Sequence, residues 1–506
     1  MENNNRGSWA SNLGFIMAAV GSAVGLGNIW GFPYKMGKCG GFTFLIVYLL
    51  LAVFVGLIIM CSELALGRKT KAAPIEAYAK VTKKYKFLGW FAVLSPFLIM
   101  TFYSVLGGYC IYYIAINLAG MAGNMFDSSS FGAMITSIPT SVVILVAFMV
   151  ICYLIVAGGV ASGIEKFNKI GMPALFVMLI IIIIKAWTLP NASVGLKFMF
   201  VPGYALSEGF IAEKPNLISV LGTAGGQMFF SLSLAMGAMI TYGSYLGEKE
   251  NLVKNSAIIV ICDTLVAIMA GLAVIPAAVA TGLAQGKALN EIKLNGPNLL
   301  FSTLQDVFHD MGAVGGIFGI IFYVLVLIAA ISSAISLMEV LTAHFCDKKI
   351  AAGKDPERKK ITLWVALAIT LLGSLVAADG LGSNGIAPFE LFKMENVKTW
   401  NDCWLDFMDC WSEGVMMPLG AMLMALMIGY ELKPDFVLNE VHSGENSSFF
   451  DKFYKICISF VVPIVMCFVL AGQLTDFFGN QAAAYIISIA LLAIFAAYTF
   501  LVKKKD

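Results

Sequence analysis

Residues 21–33, GSAVGLGNIWGFP, break an apolar run with Gly21, Gly25, Gly27 and the amide of Asn28. Backbone N–H and C=O groups left unpaired in hydrocarbon are strongly unfavourable, so such a stretch is tolerated only where protein encloses it around a cavity. Its freed carbonyls, with hydroxyls, amides or a carboxylate, are the hard oxygen donors a dehydrated cation needs. The half-helix N-terminus around Leu26 and Gly27 offers N–H groups and a positive dipole end to an anionic group. Roughly 210 residues downstream, Ser231-Leu232-Ser233-Leu234-Ala235-Met236-Gly237 interrupts a second apolar run. Asp263 places an ionisable group deep in a third run, a functional position by default. Two interrupted helices at matching places in two halves of a chain point to the binding site of a carrier.

The elements that must position these residues are membrane helices. The 506-residue chain is 59% hydrophobic and 13% charged, with a mean hydropathy of +0.85; a soluble chain of this size is about a quarter charged. Apolar runs of the ~20 residues needed to cross a bilayer centre on 11–35, 41–66, 88–120, 138–157, 168–187, 217–244, 254–281, 314–345, 361–377, 407–430, 452–473 and 482–502. They predict an all-α integral membrane protein of about twelve helices. With the N-terminus inside, one set of loops collects Arg68, Lys69, Lys71, Lys80, Lys83, Lys84 and Lys86, then Lys348, Lys349, Lys354, Arg358, Lys359 and Lys360; the tail adds Lys503, Lys504 and Lys505. About 24 of the 33 Lys and Arg fall on that side, so the positive-inside rule places both termini in the cytoplasm. The net charge of +2 is topological and points to no nucleic-acid partner.

The opening MENNNRGSW carries one positive charge and no small-residue cleavage site, so the first run is expected to stay as a working helix. Cys61, Cys110, Cys152, Cys262, Cys346, Cys457 and Cys467 lie within or at the ends of spans as small packers, whereas a pairing among Cys39, Cys403 and Cys410 stays open. Loops 283–313 and 379–404 read as caps over an outer vestibule, and 431–451 as a cytoplasmic linker. One domain, 1–506, is expected, with five-helix halves at 11–187 and 217–430 and peripheral helices in 452–502. No HExxH, GxSxG or Walker pattern is present, and His309, His344 and His442 form no metal-spaced cluster. Membrane enzymes and ATP-driven pumps are thereby disfavoured.

RGSW at Arg6–Trp9, followed by GFIMAAVGSAVGLGNIWGFPY at Gly14–Tyr34, resembles the first helix of the neurotransmitter:sodium symporters, the family of the bacterial leucine transporter LeuT. The likeness continues through SELALGR (Ser62–Arg68), FYSVLGGY (Phe102–Tyr109), GQMFFSLSLAMGAMITYGSY (Gly226–Tyr245), IPAAV (Ile275–Val279) and ISSAISLM (Ile331–Met338), nearly the whole chain. The resemblance implies a LeuT-like fold, a 5+5 inverted repeat with discontinuous helices one and six around midplane sites. It also implies sodium-coupled symport by alternating access in a plasma or bacterial inner membrane, with a small amino-acid substrate and no obligate protein partner.

Carried over by motif, one sodium ion is implied among Ala23, Asn28, Ser231 and Asp263. A second is implied among the carbonyls of Gly21, Val24 and Ala329 and the hydroxyls of Ser332 and Ser333. Relatives often have Asn where this chain has Asp263, and chloride-dependent members a Ser where it has Ala267. The rest of that pattern, Tyr48, Gln227 and Ser231, is present, so Asp263 is expected to supply a fixed negative charge and make chloride unnecessary; a proton-linked role for it stays open. Leu26, Gly27 and the Tyr103 hydroxyl are implied to take a substrate carboxylate, with Ala23 and Ser231 alongside and Ser22 near the amino group. Gly25 stands where amine-transporting relatives carry an acid, which leaves room for a substrate with its own carboxylate. Ile99, Phe230, Ser233, Met236, Ser333 and Leu337 would surround the side chain. None is charged, so a neutral, apolar or aromatic L-amino acid is expected.

At the inner gate, Arg6 and Asp347 match the family's ion pair, beside Trp9, Ser244 and Tyr245. Gly163 and Pro173 match a Gly-x9-Pro feature that lets the fifth span unwind in relatives. Phe230 and Tyr103 would form a thin outer lid. Where relatives read WRFP, this chain has Trp30-Gly31-Phe32, yet it keeps Asp409; Lys35, one turn beyond Gly31, is expected to stand in for the missing cation. The missing arginine keeps a second reading alive, a membrane amino-acid sensor of the same fold that binds without completing a cycle.

Overall fold

The structure, a computed structural model, describes residues 8–123, 125–292, 294, 296–388, 402–441 and 448–501. Regular structure among these residues is entirely helical. Ten helices are long and apolar enough to cross a membrane: Phe42–Thr70, Leu88–Gly120, Ile138–Ala157, Val160–Trp187, Leu252–Ala284, Val314–Ala351, Arg358–Asp379, Trp404–Glu431, Phe449–Phe478 and Gln481–Leu501. The pair Asn12–Ala23 and Gly27–Lys38, bent by 45°, makes an eleventh crossing. The second interrupted segment is too short on either side of its break to qualify alone, with 15 residues in Leu217–Ser231 and 7 in Ala238–Ser244. Counted as one crossing, it brings the total to the expected twelve.

Two boundaries differ from the sequence reading. The fifth span starts at Val160 rather than near 168, because the polar stretch ASGIEKFNK is helical and buries Glu165 and Asn168. Hydropathy alone discounts such residues, which the bundle nonetheless buries. The 431–451 connection holds a short helix, Asp435–Val441, pinned where the Arg68 Nε–H donates to Glu440 Oε1 at 2.8 Å.

Both interrupted helices run through the middle of the bundle, with Leu88–Gly120 packed along Val314–Ala351 beside them. Helix 217–231 meets the Val462–Phe478 helix so closely that a Cβ on Gly222 would lie 2.7 Å from the Gly472 Cα. Only glycine permits that approach. The last helix is peripheral, with 17% of its apolar window buried against 78% for Leu88–Gly120. Loops rich in Lys and Arg gather at one end, where Lys84 Nζ donates to Thr499 O at 2.8 Å and Arg68 Nη1 to Glu250 O at 2.6 Å. All ten cysteines are free thiols, which closes the pairing left open among Cys39, Cys403 and Cys410.

Candidate functional site

The first helix stops at Ala23 because Val24 is extended (φ −75°, ψ 100°), and the chain resumes at Leu26 into a π-helical turn, Gly27–Gly31. Regular helical pairing is lost between, and side chains take its place. Gly25 N–H donates to Asn28 Oδ1 at 2.9 Å, and Leu26 N–H to the Tyr103 hydroxyl at 2.9 Å. The freed carbonyls receive hydroxyls from the other half of the chain. Ser332 Oγ lies 3.3 Å from Val24 O and 2.9 Å from Ala329 O. Ser333 Oγ lies 3.4 Å from Gly21 O and 2.9 Å from Ser22 O, which also accepts from Ser233 Oγ at 2.8 Å. Ser22 Oγ turns the other way, to Ser336 Oγ at 2.7 Å.

The second helix breaks after Ser231. Ser233 (φ 52°), Ala235 (φ 58°) and Gly237 (φ 75°) all lie in the left-handed region. Serine and alanine are strained there by roughly 1–2 kcal/mol each, so surrounding contacts must hold the turn. Glu63, fully buried, accepts from Ala235 N–H at 2.7 Å and does part of that holding.

The carboxylate of Asp263 joins the two breaks. It accepts from Asn28 Nδ2 at 2.7 Å, from Ser231 Oγ at 3.0 Å to each oxygen, and from the Tyr48 hydroxyl at 3.2 Å. All four residues are buried. Gln227, expected in this cluster, turns to the first helix: its Nε2 donates at 2.8 Å to Gly27 O, a carbonyl that also accepts from Phe32 N–H in the π-helical turn. Around both breaks the donor set is oxygen throughout, from hydroxyls, carbonyls and the carboxylates of Asp263 and Glu63. That chemistry fits a hard alkali cation and no soft metal.

The residues expected to surround a substrate lie beside the first break. A Cβ on Gly25 would sit 2.3 Å from Ser333 Oγ and 2.6 Å from the Tyr103 oxygen, so any side chain at 25 would collide with both hydroxyls. Ala23, Ile99, Tyr103, Ser233, Met236, Ser333 and Leu337 are buried. Phe230 is half-buried, its ring 6.2 Å from that of Tyr103. A Cβ on Gly27 would meet Phe230 Cδ1 at 2.7 Å, so glycine there lets the ring lie over the break.

At the basic end, Arg6 falls outside the described residues. Asp347 accepts from Ala73 N–H at 2.8 Å. The Tyr245 hydroxyl donates to Glu339 Oε1 at 2.7 Å, and Glu339 is paired in turn with Arg358. Trp9 packs edge-on against Tyr242 and Tyr245 and donates to Tyr242 O at 3.1 Å. Glu165 holds the start of the first helix through Ala10 N–H (2.7 Å) and Ser11 Oγ (3.0 Å). Gly163 lies in a π-helical stretch, Val160–Glu165, and Pro173 follows in the Lys166–Trp187 helix.

The opposite end opens into a cleft of about 1210 Å³ lined by Gly31, Lys35, Gln227, Phe230, Asp409 and Glu413, among others. Here the sequence expectation needs correction. Lys35 pairs with Glu413 rather than Asp409. Lys35 lies one turn beyond Gly31, and Glu413 four residues beyond Asp409 inside a π-helical turn, Cys410–Met416. The cation lies further out than position 31 on its helix, and its acid lies one turn deeper than Asp409, because the Trp404–Glu431 helix runs toward the basic end. Sequence reasoning passed over Glu413, Glu63 and Asn168. All three carried a legible signal, since each is a strongly polar residue inside an apolar span.

Two interrupted helices crossing a helical membrane bundle, with freed carbonyls and N–H groups facing buried hydroxyls and carboxylates, define a secondary transporter for a small solute. The profile of the sodium:neurotransmitter symporter family matches residues 6–123 and 128–502, and the chain belongs to that family. It is 33% identical over 470 residues to the uncharacterized sodium-dependent transporter YhdH of Bacillus subtilis, covering 91% of this chain and 96% of that one. It is 30% identical over 509 residues to an uncharacterized sodium-dependent transporter of Methanocaldococcus jannaschii, covering 96% and 95%. Its fold superposes with a TM-score of 0.79 on the crystal structure of MhsT in complex with L-phenylalanine, at 34% identity over 92% of this chain and all of that one. The protein is a multi-pass, sodium-dependent LeuT-fold transporter and not an enzyme.

Proposed function

We propose that this transporter carries a neutral, apolar or aromatic L-amino acid into the cell together with sodium, by alternating access, with both termini cytoplasmic. The observation that carries this reading is the wall at Gly25. The Ser333 and Tyr103 hydroxyls stand where any side chain at 25 would be, and Leu26 N–H donates to the second of them. A substrate entering there must bring its own anion, which an amino acid does through its carboxylate. The uncharged lining of Ile99, Phe230, Met236 and Leu337 favours an apolar side chain, and the phenylalanine bound to MhsT is of that kind.

Two sodium positions are proposed: one among Ala23, Asn28, Ser231 and Asp263, the other among Gly21, Val24, Ala329, Ser332 and Ser333. Asp263, already receiving three side-chain donors, would supply the fixed negative charge beside the first and remove the need for chloride. Arg6, Asp347 and Tyr245 are assigned to the inner gate, and Tyr103 and Phe230 to the lid over the substrate. Residues 11–187 and 217–430 are assigned to the two inverted halves.

The test is uptake of labelled amino acids, phenylalanine first, into proteoliposomes under an inward sodium gradient, with potassium as control. Sodium-dependent accumulation supports the reading and names the substrate. Saturable sodium-dependent binding without accumulation would instead support a sensor.

A further inference from the structure

We infer that Asn168 is a further residue of the second sodium position, presenting its side-chain oxygen from the fifth span. The inference rests on the reading that Gly21, Val24, Ala329, Ser332 and Ser333 hold an ion. Asn168 lies in the Lys166–Trp187 helix and is 0% exposed. Its Nδ2 donates to Ile164 O, one turn back, at 3.0 Å. That bond makes Oδ1 the atom directed away from its own helix. Asn168 Oδ1 is buried and accepts no hydrogen bond.

Gly21 shows where that oxygen points. A Cβ on Gly21 would lie 2.0 Å from Asn168 Oδ1 and 3.3 Å from Ser332 Cβ. The amide therefore occupies the space a side chain at 21 would take, against the backbone whose carbonyl belongs to the proposed ion position. The nearby hydroxyls cannot satisfy it. Ser332 Oγ is committed to Val24 and Ala329 carbonyls, and Ser333 Oγ to those of Gly21 and Ser22. A buried acceptor with no donor is unfavourable and persists where a ligand completes it. Among neighbours that are themselves oxygen donors, a cation is the ligand all of them share. The same amide reaches the π-helical stretch that contains Gly163, since Ile164 belongs to it.

The experiment uses purified full-length protein and reads equilibrium binding of radiolabelled sodium without substrate, alongside the sodium dependence of thermal unfolding. Asn168→Ala is expected to raise the sodium concentration for half-saturation about tenfold, the effect of losing one contact to a charge. Asn168→Asp, which keeps the oxygen and adds charge, should bind sodium at least as tightly as the wild type. Wild-type sodium binding in Asn168→Ala overturns the assignment. Ser332→Ala in the same assay separates the two levels of inference. Weakened sodium binding in Ser332→Ala alone removes Asn168 from the site, whereas no change in either variant overturns the second sodium position itself. Should Asn168→Ala fail to fold, Asn168→Ser takes its place, its oxygen one bond closer to the backbone than the amide oxygen; weakened sodium binding in the folded variant supports the assignment, and wild-type sodium binding overturns it.

Discussion

At the scale of single residues, the site is governed by which polar atoms are already committed. Asp263 receives hydrogen bonds from Asn28, Ser231 and Tyr48. An asparagine in its place offers one acceptor oxygen instead of two and turns an NH2 group toward donors. Asp263→Asn should therefore raise the sodium concentration needed for half-maximal uptake and introduce a chloride requirement, read by replacing chloride with gluconate. Unchanged ion dependence would remove the fixed-charge role from Asp263. Gly25 is a constraint of a different kind. A methyl there meets two hydroxyl oxygens below 3.0 Å, so Gly25→Ala should weaken substrate binding by about tenfold or more, a loss of about 1.4 kcal/mol. A competition isotherm that matches the wild type would show that the substrate does not use this wall.

At the scale of elements, the outer half of the first helix and the Trp404–Glu431 helix face each other across the cleft and make their ion pair at Lys35 and Glu413. The pair is largely shielded, with side-chain exposures of 15% and 7%. Removing one partner leaves a poorly solvated charge, which costs more than the pair contributes. Lys35→Ala and Glu413→Ala should each impair transport, and Lys35→Glu combined with Glu413→Lys should recover part of it. Transport that survives both single changes would take this pair out of the gate. The site vacated at 31 can be tested separately. A Cβ on Gly31 conflicts only with the flexible end of Gln227, at 2.7 Å from Oε1, so an arginine can be built there. Gly31→Arg should slow substrate dissociation several-fold if this entrance is naturally loose, and an unaltered off-rate in a filter-binding chase would show that it is not.

At the scale of the molecule, the two halves meet through groups that a cation would bridge. Carbonyls of the first break face hydroxyls on the Val314–Ala351 helix, and Asn28 faces Asp263 on Leu252–Ala284. An ion bound between them adds stability that the unfolded chain cannot share. Sodium at about 100 times its dissociation constant should raise the unfolding free energy by about 2.7 kcal/mol per site. A melting temperature in detergent that rises with sodium but not with potassium would show this, and identical curves in the two salts would argue against specific sites.

Much of this protein was legible in its sequence, for a physical reason. Lipid imposes one rule on every span, so apolar length predicted the Leu88–Gly120 and Ile138–Ala157 helices to the residue. The same rule made the glycines at 21–27 and the serines at 231–233 stand out as breaks, and the motifs around them led to the family. What the sequence could not settle is where each polar atom spends its hydrogen bond. Gln227 could have faced Asp263 or the first helix, and it took the Gly27 carbonyl at the start of the π-helical turn. Lys35 had two acids within reach on one helix, and a π-helical turn decided for Glu413. The roles of Glu63, Asn168 and Glu165 were hidden because their partners, from 4 to 172 residues away, are set by packing. Spans follow from composition because their solvent is uniform; pairings inside the bundle depend on distances that only the packed helices set.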